Sequence, residues 1–120
     1  MVDPRRDMGA FVKALVQAEP GKNLLGVAST MSWKEWAQLW GKINGVECRY
    51  EQMPDGALTA MMPGGLGREF EDMFRYMDYY GYAGNEDKTV VQPEDLGVEI
   101  KTTSMEEYIK AEDWSSVLNA

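Results

Sequence analysis

Apolar residues recur at helical spacing in several stretches of the chain. Met8, Phe11, Val12, Leu15 and Val16 lie three and four residues apart and predict one apolar helix face. Asp3 is placed to cap that helix, Pro4 suits its first position, and Pro20-Gly21 ends it. Leu24, Leu25, Val27 and Ala28 form a short run that reads as a buried strand. Ser32, with Glu35 three residues on, predicts a reciprocal cap for a second helix. Trp33, Trp36, Leu39, Trp40 and Ile43 occupy its broad face, and Asn44-Gly45 closes it. Val46, Cys48 and Tyr50 then alternate with Glu47, Arg49 and Glu51, the period-two pattern of a half-buried strand.

The second half continues in helical rhythm. A short helix is expected from about Asp55 to Met62, ended by Pro63-Gly64-Gly65. Leu66, Phe70, Met73, Phe74 and Met77 form the stripe of the longest helix, which Gly81 stops. Gly84 to Lys88 reads as a polar loop, Val90-Val91 as a short extended segment, and Pro93 to Leu96 as one helical turn. Thr103 and Glu106 suggest a capping box for a last helix carrying Met105, Tyr108 and Ile109. Trp114, Val117 and Leu118 are expected to pin the tail to the body. The predicted class is α+β: one small, mostly helical domain over residues 1–120, with a few short strands and no dividing linker.

Charge narrows the partners. The net charge is −8, and residues 84–120 hold nine acids against three bases. An acidic chain repels phosphate backbones and anionic lipid, so neither nucleic acid nor membrane is an expected partner. The one cysteine, Cys48, permits no internal disulfide and fits a reducing, cytoplasmic compartment; it reads as inert core. No apolar run follows the charged amino terminus, so no secretory signal is expected. The absence of histidine removes a Ser-His-Asp triad and a histidine metal site. Glu69, Glu71 and Asp72 lie beside Arg68 and Arg75, a poor cation site, and no metal is expected.

Several segments, in their order and spacing, resemble the carboxy-terminal, substrate-side lobe of the NmrA-like family, atypical relatives of the short-chain dehydrogenases common in fungi. They are Arg6-Asp7-Met8-Gly9 leading into Phe11 to Leu15, Gly21 to Leu25, Met31-Ser32-Trp33, Pro63 to Gly67, Pro93 to Val98, Glu106 to Ile109 and Glu112 to Ser115. The likeness covers nearly the whole chain, although none of these motifs is catalytic. The family's Rossmann half supplies a glycine-rich turn against a dinucleotide's pyrophosphate. No such turn follows a strand here, and no Tyr-x-x-x-Lys pair is present. The resemblance therefore implies no nicotinamide cofactor and no hydride transfer. It also implies apolar helix faces and a strand edge left bare, which a homodimer would cover; a separate Rossmann chain, or origin as a fragment, are alternatives.

The family uses this lobe to hold substrate. That use points to an apolar pocket of Met31, Trp33, Trp36, Trp40 and Tyr50 with Met61, Met62, Phe70, Met73, Met77 and Tyr80. Glu51 and Asp55 are candidate acids, and Arg49 could orient a carbonyl. The expected function is a cofactor-independent isomerase or cyclase, including a pericyclic ring closure, acting on an apolar polyketide or terpenoid in fungal secondary metabolism. The alternative is a non-catalytic NmrA-like interaction or regulatory module. Gly64-Gly65-Leu66-Gly67 reads as a tight helix–helix turn, since no strand precedes it.

Overall fold

A computed structural model describes residues 1–83 and 87–119. The expected loop residues Gly84, Asn85 and Glu86 lie outside the described residues. In chain order the elements are α1 (Pro4–Gln17), β1 (Asn23–Leu24), α2 (Trp33–Asn44), α3 (Ala57–Met61), α4 (Leu66–Tyr80), β2 (Val90–Val91), a 3₁₀ turn (Pro93–Asp95), α5 (Met105–Ala111) and α6 (Ser115–Leu118). The class is α+β, mostly helical, with β1 and β2 forming a two-stranded sheet. No described helix is long and apolar enough to cross a membrane. Where the sequence shows no linker, the chain groups into two compact units: Met1–Tyr50 with Val91–Ala120, and Glu51–Val90.

The first unit is built around α2 and α5. Ser32 caps α2 as expected: its hydroxyl accepts from the Glu35 N–H at 3.2 Å while the Ser32 N–H donates to the Glu35 carboxylate at 2.7 Å. Trp40, Met105 and Ile109 are the buried centre, with Met31, Trp36, Leu39 and Cys48 packed against it. Gly41 allows the chain to fold back over α2, because a Cβ there would lie 2.7 Å from the Val46 carbonyl oxygen and 3.0 Å from Cys48 Cβ.

Several expectations fail here. Val46 to Tyr50 forms no strand, and Val46 and Tyr50 are exposed. The alternation in the sequence is not followed by burial, since Cys48 alone of the three apolar positions is half-buried, and among the described residues no backbone hydrogen bond pairs 47–50 with a neighbour. Of the run Leu24 to Ala28, only Leu24 is in a strand, and Ala28 N–H instead donates to the Met1 carbonyl at 2.9 Å.

Helix α1 starts as predicted, with Asp3 accepting from the Arg5 N–H at 3.0 Å. Of the predicted stripe only Phe11 is covered. Asp7, Phe11 and Ala14 are buried, whereas Met8, Val12, Leu15 and Val16 are exposed, Val16 at 81%. Asp7 decides the orientation. One carboxylate oxygen accepts both the Thr103 N–H and the Thr103 hydroxyl at 2.8 Å, and the other accepts the Asp3 N–H at 3.2 Å. A buried carboxylate needs such donors, and they lie on the flank beside the bulk of the apolar stripe.

The same contact moves the cap of α5 by one residue. Both Thr103-x-x-Glu106 and Ser104-x-x-Glu107 fit a capping box. Thr103 is taken by Asp7, so Ser104 caps α5 reciprocally with Glu107. At the carboxy terminus Trp114 packs inward, while Val117 and Leu118 remain exposed.

The second unit is α3 laid on α4. Gly67 is buried because α3 crosses it: a Cβ at that position would fall 2.0 Å from the Leu58 carbonyl oxygen. Gly56, the residue before α3, has no side chain to cap with. Glu71 of α4 supplies the cap, accepting from Leu58 N–H at 3.1 Å, Thr59 N–H at 3.3 Å and the Thr59 hydroxyl at 2.8 Å. On the α4 stripe Leu66, Met73 and Phe74 are exposed, against expectation, and Phe70 and Met77 are half-buried. One short helix covers too little of a 15-residue helix to bury a full stripe.

Candidate functional site

The expected pocket residues divide between the units. Met31, Trp33, Trp36, Trp40 and Tyr50 belong to the first; Met61, Met62, Phe70, Met73, Met77 and Tyr80 belong to the second. In the first unit the indoles pack on one another. Trp36 and Trp40 stack with centroids 6.4 Å apart, and Trp114 meets both edge-on, at 6.4 and 5.7 Å. Tyr108 closes the group at 6.4 Å from Trp114. These are ordinary packing geometries for aromatic side chains. Trp114 Nε1 donates to the Ile109 carbonyl at 2.8 Å, whereas the buried Trp40 Nε1 has no partner among the described residues. Trp33 is exposed, at 58%, and outside the cluster.

In the second unit Met61, Met62, Met73 and Tyr80 are exposed. Tyr76 and Tyr80 tilt against each other at 5.0 Å. The unit thus presents thioethers and phenols on its surface.

The candidate acid–base residues are also divided, with Arg49 in the first unit and Glu51 and Asp55 in the second. Arg49 is held at 2.6 Å by Glu47. Asp55 is 94% exposed and lies 3.6 Å from Arg75, which also faces Asp72 at 4.0 Å; Arg68 lies 3.8 Å from Asp72. Glu51 is exposed. Exposed pairs of this kind contribute only ~0–1 kcal/mol.

Glu35, Glu71, Asp87, Glu106, Glu107 and Asp113 all have pKa values held below the ordinary carboxylate range. For Glu71 the main cause is the Thr59 hydroxyl; for Glu107 it is the Ser104 hydroxyl. A general acid at neutral pH needs the opposite shift. The described residues contain no group of three or more possible metal ligands.

Two open clefts lie in the first unit. One, of about 610 Å³, has Val27 to Thr30 on one wall and Gln92 to Glu94 with Gly97 to Ile100 and Thr102 on the other. The second, of about 490 Å³, is lined by Ile43 and Asn44 with Ile109, Lys110 and residues 112–115, 118 and 119. Trp36, Trp40, Arg49, Glu51 and Asp55 line neither. The first cleft leaves a signal in the sequence, since Val98-Glu99-Ile100-Lys101-Thr102 alternates with period two. Asp7 leaves none: it is a carboxylate amid apolar positions with no local mark of its partner.

The sequence model of the NmrA-like family matches residues 1–109. No curated protein and no solved structure matches the chain.

Proposed function

Since the chain belongs to the NmrA-like family, we propose that it is a non-catalytic binding lobe that engages another polypeptide through α1. The observation that carries this reading is the uncovered stripe of Met8, Val12, Leu15 and Val16 beside a fully buried flank of Asp7, Phe11 and Ala14. The helix is held firmly on one flank and offers apolar side chains on the next, as a helix does when it presents anchors to a partner groove. The exposure of the candidate acids and the self-packed indoles support binding over chemistry.

The test places a photo-crosslinking residue at Val16 in the source cells. The expected result is a discrete protein adduct that disappears with Val12→Glu, a change on an exposed position. Adducts confined to small molecules would overturn the reading.

A second reading is supported by the methionine and tyrosine surface of the second unit, which suits a hydrocarbon-rich ligand. On it the chain is a cofactor-independent isomerase or cyclase acting on an apolar polyketide or terpenoid intermediate in fungal secondary metabolism, in the cytoplasm. Mixing the purified chain with extract from a strain lacking it decides between the two. A product of unchanged mass, lost with Glu51→Gln or Asp55→Asn, establishes the enzyme; no conversion leaves the binding lobe.

A further inference from the structure

We propose that residues 98–102 are an unpaired strand that dimerises the protein, pairing antiparallel with the same segment of a second copy about a two-fold axis at Ile100. This goes beyond the α1 reading and does not depend on it.

The backbone carries the first argument. Val98, Ile100 and Thr102 are half-buried while Glu99 and Lys101 are exposed, so inward and outward side chains alternate as in a strand. Among the described residues, no N–H or C=O of 98–102 takes part in a hydrogen bond. Strands meet this need by finding a neighbour, and an unpaired edge is a template for another chain. The cleft of about 610 Å³ leaves one flank of the segment open.

Charge selects the occupant. Antiparallel pairing centred on Ile100 sets Glu99 of each copy opposite Lys101 of the other, on the exposed face. It sets Ile100 opposite Ile100, and Val98 opposite Thr102, on the inner face. Both oppositely charged pairs and β-branched pairs are favourable across strands. The five residues are therefore complementary to themselves in this one register, which is the property that an isologous interface requires.

Sedimentation velocity of the full chain over a concentration series tests this. The wild type is expected to be a reversible dimer. Glu99→Lys or Lys101→Glu, each a change at an exposed position, sets like charges opposite each other twice and should weaken the dimer about tenfold or more. The double variant Glu99→Lys/Lys101→Glu restores both pairs and should return the wild-type affinity. A wild type that stays monomeric overturns the proposal. So does a dimer unmoved by the single reversals, or a double variant as weak as the singles. Dimerisation lost with Val12→Glu but indifferent to the reversals assigns the contact to α1 and overturns it as well.

Discussion

The two units differ in what holds them. The first buries Trp40, Met105 and Ile109 together, adds Phe11 and Ala14 from α1, and ties α1 to the start of α5 through Asp7. In the second, the only described residue that is fully buried is Gly67, and its helices are joined by a close backbone crossing and a carboxylate cap. The first has a core of the usual kind, in which apolar area removed from water dominates. The second is held by a close backbone crossing and a polar cap, and it leaves Met61, Met73, Phe74, Tyr76, Tyr79 and Tyr80 exposed.

The strongest blow to this contrast is aimed at the larger core. Ile109 is 1% exposed, and Ile109→Ala should cost about 2 to 5 kcal/mol. Urea unfolding followed by tryptophan fluorescence reads it cleanly, since Trp33, Trp36, Trp40 and Trp114 all lie in the first unit. A loss below about 1 kcal/mol would mean that this cluster is not what stabilises the unit.

Gly67→Ala strikes the other unit. Its Cβ meets backbone, not a flexible side-chain end, so α3 must move off α4, at about 1 to 3 kcal/mol. Amide protection across Ala57–Met61 should fall while the tryptophan-monitored transition stays in place. If both shift together, the units unfold as one body and the contrast between them disappears.

The smallest effect is a pH dependence. The Glu71 pKa is lowered, chiefly by the Thr59 hydroxyl and also by the Thr59 and Leu58 N–H groups. Its contribution is present in full above the ordinary carboxylate value and is lost as pH falls through the lower folded value. Acidification should therefore loosen the Leu58 and Thr59 amides. In Glu71→Gln that step should be gone. An identical acid profile in the variant would assign the step to another group.

Much of the local architecture was legible in the residues themselves. Asp3-Pro4, Ser32 with Glu35, Asn44-Gly45, Pro63-Gly64-Gly65 and Gly81 set helix ends that the structure keeps to within a few residues. The candidate site was far less legible. Trp36 and Trp40 were identifiable as apolar and interior, but the sequence could not tell a packed cluster from a lined cavity. Both readings demand the same residue types at the same helical spacing. Val46 to Tyr50 carries a strand pattern that burial does not follow, whereas in Val98 to Thr102 burial follows the alternation.

The sequence by itself determined the family, the helix-rich class and the caps and breaks of each helix, because these rest on hydrogen bonds and backbone limits within three or four residues. Tertiary structure alone decided which flank of α1 is covered, whether Thr103 or Ser104 begins α5, and which extended segments acquire partners. The Asp7–Thr103 bond joins residues 96 apart, and a carboxylate that must be buried with its donors fixes the faces around it from a distance at which no periodicity reports.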